Sequence, residues 1–143
     1  MNDSHDNDKS QLATLDGDIQ RELIRRAIEV RKLAYAPYSN FQVGAALLDR
    51  ERNIHVGCNV ENASLGLCIC AERSAICSAV ASGQTEFLMI AVAAAPLASP
   101  CGACRQFLFE FGDDILVISV NADQPDDYCI WRSGELLPAG FRL

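Results

Sequence analysis

The sequence lacks the features that mark membrane and secreted proteins. No apolar run approaches the length of about 20 residues that a membrane-spanning helix needs. The first residues, MNDSHDNDKSQ, are polar and acidic, whereas a secretory signal begins with basic residues and continues with an apolar segment. We therefore expect a cytoplasmic protein with no membrane contact.

Positive charge and histidine are both scarce. The chain has 12 Lys and Arg against 19 Asp and Glu, a formal net charge of −7, and the basic residues are scattered. On average such a surface repels a phosphate backbone, so we expect no nucleic-acid partner. Only two histidines are present. His5 lies in the acidic N-terminal segment and His55 on a predicted strand, so neither is expected to bind a metal.

The length and composition fit one soluble domain. The chain has 143 residues, half of them apolar and 22% charged, with no internal repeat and no linker. Residues 1–16 are rich in Asp, Asn and Ser and poor in apolar side chains, which predicts a disordered acidic tail. Residues 17–143 are expected to form a single domain.

Hydrophobic periodicity predicts alternating helices and strands. A helix is expected from a cap at Asp18 to about Tyr35, where Pro37 follows. Helical spacing returns later in two shorter segments and in a final turn, and period-two or continuous apolar runs predict five strands. This order predicts a three-layer α/β/α sandwich around a five-stranded mixed sheet. The other predicted helices are 71–82, 102–111 and a turn at 133–138; the strands are 41–49, 53–61, 87–95, 115–120 and 128–131.

Three of the seven cysteines have the spacing of a metal site. Cys101 and Cys104 form a Cys-x-x-Cys pair at the start of a predicted helix, and Cys70 stands at the start of another. Helix N-termini favour thiolates, and three thiolates leave the fourth position of tetrahedral zinc to water, which is the catalytic pattern. A structural zinc site in a binding module and a dithiol redox protein remain open at this point. The other cysteines are expected to be small apolar side chains: Cys58, Cys68, Cys77 and Cys129.

Glu72 and Arg73 follow the first of these cysteines closely. A carboxylate beside an open zinc site can take a proton from water and return it elsewhere, so Glu72 is the candidate general acid–base. Zinc with three thiolates carries a net charge of −1, and a guanidinium that hydrogen-bonds the sulfurs would withdraw part of that charge. Arg73 is the candidate for this role.

These motifs resemble those of the zinc-dependent cytidine deaminases. CAER followed by PCGACRQ matches the zinc-deaminase signature, which blasticidin S, nucleic-acid-editing and guanine deaminases share. Three further stretches resemble the small, homotetrameric cytidine deaminases: APYSNFQVGAALL (36–48), GCNVENAS (57–64) and ELLPAGF (135–141). The likeness spans roughly residues 20–141 and implies the cytidine deaminase fold. The implied reaction is hydrolytic deamination of cytidine and 2′-deoxycytidine in pyrimidine salvage.

The resemblance also implies the cofactor and the proton carrier. One Zn²⁺ per subunit would be bound by Cys70, Cys101 and Cys104, and would activate a water molecule. Glu72 would shuttle protons from that water to the pyrimidine and to the departing ammonia. A deaminase for blasticidin S or for a modified nucleoside is the nearest alternative.

Substrate contacts are implied for five residues in the same way. Phe41 would pack against the pyrimidine, Asn59 and Glu61 would hydrogen-bond the ribose 3′-hydroxyl, and Ala71 would contact the substrate. Phe141 would reach the active site of a neighbouring subunit. Strand alternation independently places Asn59 and Glu61 on one face, since successive side chains point to opposite sides.

The sequence departs from the family at Leu65. Relatives usually carry an aromatic residue there, which contributes to contacts between subunits near the ribose. The loop AAAPLASP before Cys101 is also a residue or two shorter than in relatives. Neither difference touches the predicted zinc ligands.

Overall fold

The computed structural model describes the backbone of residues 3–143 and the side chains of residues 17–143. A five-stranded mixed sheet in the order β2-β1-β3-β4-β5 forms the middle layer. The β3–β4 pair is parallel, and the other neighbouring pairs are antiparallel. The strands are β1 (Gly44–Asp49), β2 (Ile54–Cys58), β3 (Phe87–Ala94), β4 (Leu116–Asn121) and β5 (Gln124–Arg132).

Three helices cover the two faces of the sheet. Helix α1 (Asp3–Arg31) lies on one face, and α2 (Ala71–Ala81) and α3 (Gly102–Phe111) lie on the other. A short 3-10 helix spans Leu65–Leu67. No helix in the described part of the chain is both long and apolar enough to span a bilayer. The predicted three-layer sandwich is confirmed.

Each face of the sheet has its own apolar core. On one side the fully buried Leu23 and Ala27 of α1 pack over the central strands. On the other side Ala75 and Ile76 of α2 and Leu108 of α3 pack against the opposite strand faces. The long apolar run of β3 is therefore explained, because both of its faces are covered.

Two glycines allow the helices to lie close to the sheet. A Cβ at Gly44 would lie 2.1 Å from the carbonyl oxygen of Ala27 in α1. A Cβ at Gly57 would lie 2.3 Å from the backbone nitrogen of Ala75 in α2. Any larger side chain at these points would push a helix away. Gly57 thus sets the distance between β2 and the helix that begins beside Cys70.

The first helix has different ends from those predicted. It begins at Asp3, so Asp18 lies inside it, where its carboxylate bonds Arg21 one turn later instead of capping. It ends at Arg31, because the next three N–H groups bond carbonyls three residues back and tighten the chain out of the α-helix. The predicted disorder of residues 1–16 stays a prediction, since residues 1–2 and the side chains up to residue 16 lie outside the described part.

The C-terminal region also differs from its predicted elements. Residues 133–138 form turns, not a final turn of helix. Glu135 explains part of this, because its carboxylate accepts a 2.6 Å bond from the backbone N–H of Arg132 and fixes a tight turn. Strand β5 starts at Gln124, earlier than the predicted 128–131, although Pro125 and two aspartates follow. Pro125 is tolerated because β5 is an edge strand.

Candidate active site

The three predicted thiol ligands meet between the first turns of α2 and α3. Cys70 is the N-cap of α2, Cys101 is the N-cap of α3, and Cys104 lies in the first turn of α3. Their sulfur atoms all lie within 4.8 Å of one another, and the Sγ atoms of Cys70 and Cys101 are 3.8 Å apart. Among the described residues, no fourth His, Cys, Asp or Glu joins this group.

The surroundings favour a thiolate at Cys70. A hydrogen bond from the Cys104 thiol, together with the Arg73 guanidinium, lowers the pKa of the Cys70 thiol to about 5 although burial opposes the shift. The pKa of the Cys104 thiol is raised, because its proton is held by Cys70 and because it is buried. The N-terminal end of each helix adds a favourable field for negative charge. The pair therefore gives up its first proton readily and retains the second.

Glu72 lies in the first turn of α2 with 4% of its surface exposed. Burial raises the pKa of this carboxyl above its ordinary value, and the negative charge of Cys70 raises it further. A buried carboxyl beside the thiols is placed to hold or release a proton close to a reacting atom.

Arg73 points its guanidinium towards the sulfurs. Its Nη2 atom donates to Cys70 Sγ at 3.4 Å, and its buried Nε atom has no hydrogen-bond partner. This contact agrees with the role predicted for Arg73 from the sequence, since a hydrogen-bond donor withdraws electron density from the sulfur.

A cavity of about 300 Å³ opens above Glu72. Its volume is at the lower end of the range of roughly 300–1,000 Å³ for small-molecule sites. The lining includes seven of the ten predicted site residues, and Cys104, Arg73 and Phe141 are outside it. The lining residues are Ser39, Phe41, Val43, Asn59, Val60, Glu61, Cys68, Ile69, Cys70, Ala71, Glu72, Val92, Ala94, Ala98, Ser99 and Cys101.

Asn59 and Glu61 also hold the loop that carries Phe41. Asn59 Oδ1 accepts from the N–H of Val43 at 2.8 Å, and Asn59 Nδ2 donates to the carbonyl of Phe41 at 2.8 Å. The carboxylate of Glu61 accepts from the hydroxyl of Ser39 and from nearby backbone N–H groups. These bonds lower the pKa of Glu61, with the Ser39 hydroxyl contributing most. Asn59 keeps one donor and one acceptor site for further hydrogen bonds, and Glu61 keeps one acceptor site on Oε1.

Two predicted residues lie away from the cavity of this chain. Phe141 is 68% exposed and absent from the lining, and Leu65 is 79% exposed. The contact of Phe141 with a neighbouring subunit stays a prediction. His55 lies outside the thiol group, and its Nε2 donates to the buried Asp49 at 2.8 Å.

Three side chains of the cavity wall that carry an oxygen or sulfur atom have no functional role in the sequence prediction: Ser39, Ser99 and Cys68. Ser39 lies in the motif APYSN, but its hydrogen bond to Glu61 joins positions that are far apart in sequence and has no local signal. Ser99 belongs to the loop before Cys101. Cys68 lines the cavity and bonds the backbone of Asn62. Cys68 and Ser99 each lie two residues before a predicted ligand, and this position is the signal that could have indicated their place.

The donor set fits zinc. Tetrahedral zinc with Zn–S bonds of about 2.3 Å places its sulfur ligands about 3.8 Å apart. The distance of 3.8 Å between Cys70 Sγ and Cys101 Sγ equals that separation. Three thiols with no fourth protein ligand among the described residues match an open site and not a closed structural one. Fold and site together define the class of zinc-dependent α/β/α deaminases.

Comparison with known proteins identifies the family within this class. Residues 18–120 match the family model of the cytidine and deoxycytidylate deaminase zinc-binding region. The chain therefore belongs to the cytidine and deoxycytidylate deaminase family, and its cofactor is zinc.

Relatives and solved structures agree with this assignment. The chain is 45% identical over 122 residues to a cytidine deaminase of Halalkalibacterium halodurans, covering 83% of this chain and 91% of that protein. The crystal structure of cytidine deaminase from Burkholderia pseudomallei matches with a TM-score of 0.80 and 46% identity, covering 85% and 98%. The corresponding structure from Mycobacterium tuberculosis gives a TM-score of 0.75 and 38% identity, covering 87% and 98%.

Proposed function

We propose that the protein deaminates cytidine and 2′-deoxycytidine hydrolytically, giving uridine and 2′-deoxyuridine with release of ammonia. The observation that carries the proposal is the buried carboxyl of Glu72 at the floor of a nucleoside-sized cavity, beside three thiols within 4.8 Å of one another. The relatives described above are cytidine deaminases, which supports the same substrate.

The chain supplies the ligands and the proton carrier. When bound by the three cysteines, zinc supplies a Lewis acid that lowers the pKa of water towards neutrality. Glu72 accepts a proton from the attacking water and delivers it to N3 of the pyrimidine. The water oxygen bonds C4, Glu72 carries the remaining proton of that oxygen to the exocyclic amine, and the C4–N bond breaks to release ammonia. Arg73 offsets the negative charge of the sulfurs throughout.

The ribose contacts position the base. Phe41 packs on the pyrimidine, Ala71 lines the cavity beside it, and the free hydrogen-bonding capacity of Asn59 and Glu61 binds the 3′-hydroxyl. Such positioning converts an encounter between two molecules into a reaction within one complex. A site built around that hydroxyl rejects ligands without it, because its polar groups are then left unpaired.

Assembly completes the site in this proposal. The protein is a cytoplasmic homotetramer of pyrimidine salvage, in which Phe141 of a neighbouring copy closes the cavity. The exposure of Phe141 and Leu65, 68% and 79%, leaves both side chains accessible to a neighbouring copy.

The test is an ultraviolet assay on cytidine, 2′-deoxycytidine and cytosine, with protein of measured zinc content. Glu72→Gln keeps the size and position of the side chain and removes the titratable group. We expect this variant to retain zinc and to lose most of its activity, by a factor of at least about 100. The exposed Glu110 of α3 offers a matched control, because Glu110→Gln makes the same change away from the cavity.

Two results would contradict the proposal. Loss of zinc in Glu72→Gln would make Glu72 a structural residue. Equal kcat/KM on cytosine and cytidine would remove the role of Asn59 and Glu61 in binding ribose.

A further inference from the structure

Arg105 makes hydrogen bonds to the backbone on both sides of Cys101, one of the zinc ligands. Its Nε atom donates to the carbonyl oxygen of Pro100 at 2.8 Å, and its backbone N–H donates to the carbonyl oxygen of Cys101 at 3.0 Å. Its Nη2 atom donates to Ser99 Oγ at 3.2 Å. A single residue therefore holds both the carbonyl group of Pro100, which precedes Cys101, and the carbonyl group of Cys101 itself.

The segment that leads to Cys101 has little else to hold it. Residues 95–100 contain no helix or strand, and within the described chain their only hydrogen bonds are the two that the Arg105 side chain donates. Cys101 itself caps α3 with extended backbone and makes no side-chain capping bond. Without the arginine, few contacts would keep this exposed thiol near the other two.

The opposite side of the guanidinium is anchored in the core. Its Nη1 atom donates at 3.1 Å to the carbonyl oxygen of Leu136, a residue 7% exposed that belongs to the core beside α2 and α3. The next residue, Gln106, donates to the carbonyl of Phe141 at 3.3 Å. The C-terminal turns are therefore joined through α3 to the loop that carries a zinc ligand.

We infer that Arg105 is a positioning residue for the zinc site. It fixes Cys101 by tying Ser99 and Pro100 to the C-terminal turn, so that the third sulfur is in place before the metal arrives. A planar guanidinium has five N–H donors in a fixed fork and can serve three acceptors at once, whereas an ammonium is a single point of charge. The inference deepens the proposed function, since it concerns the same metal site.

The test measures zinc affinity directly. Holoprotein is titrated with a chromogenic chelator at 25 °C, for the wild type, Arg105→Ala and Arg105→Lys, and thermal unfolding is recorded in parallel. Residues that orient metal ligands typically contribute 10–100-fold to affinity, so we expect the zinc dissociation constant of Arg105→Ala to rise by about that factor. Arg105→Lys keeps the charge but not the fork, and we expect a similar rise.

Arg132 provides the matched control. It also donates to a backbone carbonyl, that of Asp114 at 2.8 Å, but it lies on β5 outside the cavity lining. Arg132→Ala should leave zinc affinity unchanged. The affinity is measured without nucleoside, so this test does not depend on which substrate the enzyme takes.

Two outcomes would overturn the inference that Arg105 positions the zinc site. Wild-type zinc affinity in Arg105→Lys would mean that charge alone matters and would overturn it. A lowered unfolding temperature with unchanged zinc affinity in Arg105→Ala would overturn it too, because the residue would then be merely structural. If Arg105→Ala does not fold, Arg105→Lys carries the same decision.

Discussion

Substitution of Gly57 by alanine tests whether the packing of α2 on the sheet sets the geometry of the active site. The new Cβ would lie 2.3 Å from the backbone nitrogen of Ala75 and 2.8 Å from the carbonyl oxygen of Ala71, whereas ordinary contact begins at 3.4 Å. Both atoms belong to the helix backbone and cannot rotate away. The helix must therefore move from β2 by about 1 Å, since a close-packed interior has no space to absorb the methyl group.

The movement affects both stability and chemistry. Overpacking of this kind typically lowers the free energy of unfolding by about 1–3 kcal/mol. The same helix carries Glu72 in its first turn and begins at Cys70, so both shift relative to Cys101 and Cys104. A misplacement of about 1 Å can cost on the order of 100-fold in rate, and we expect a fall of that size in kcat/KM for cytidine.

The assay combines steady-state deamination, zinc content and urea unfolding at one temperature. Gly66→Ala is the control, because a Cβ at Gly66 would meet no heavy atom within 4 Å. Wild-type kcat/KM in Gly57→Ala would refute the reasoning, since it would show that the site tolerates displacement of α2. A loss of activity equal in Gly66→Ala would show that the effect is not specific to the contact with the helix.

Three further predictions follow from the core and the cavity. The pKa of the buried Asp49 lies below its ordinary value of 3.8, because burial, which raises it, is outweighed by hydrogen bonds from His55 and Asn53. A carboxyl whose pKa is lower in the folded state stabilises the protein above its unfolded-state pKa, and this stabilisation is lost as the pH falls through the folded-state pKa. In urea unfolding, the stability of Asp49→Asn should therefore depend less on pH below about 4 than that of the wild type. An unchanged pH dependence would contradict this. Ile76 is 1% exposed on the inner side of α2, so Ile76→Ala should lower the free energy of unfolding by about 2–5 kcal/mol. A loss of less than about 1 kcal/mol in urea unfolding would show that the core closes around the missing atoms and leaves no rigid cavity. In the ultraviolet assay cytosine should have a kcat/KM lower than that of cytidine by a factor on the order of 100 or more, because it lacks the ribose.

The sequence predicts best where one strong pattern determines an element. Helix 71–82 differs by one residue from the observed Ala71–Ala81, and 102–111 agrees with Gly102–Phe111. In α3 the helical spacing of the apolar residues predicts the buried side, and Gly112 predicts the end of the helix. The thiol group is predictable for a related reason, since both helix starts can be recognised from the sequence and helix N-termini favour thiolates.

The sequence predicts less well where distant residues decide the structure. The predicted strand 41–49 begins only at Gly44, because Asn59 bonds the backbone at Phe41 and Val43 and keeps these residues out of the ladder. Strand β5 is held by its backbone bonds to β4, so its exposed polar residues give no alternating pattern. Neither effect has a local signal in the sequence.

The double engagement of Asn59 and Glu61 changes how the cavity can be dissected. Replacing either side chain would remove the proposed ribose contact and would also release the loop that carries Phe41. A rise in KM for such a variant would therefore report two losses that cannot be separated. Removing the hydroxyl from the nucleoside leaves the loop intact, so 3′-deoxycytidine is the cleaner probe: the informative deletion belongs in the ligand and not in the protein.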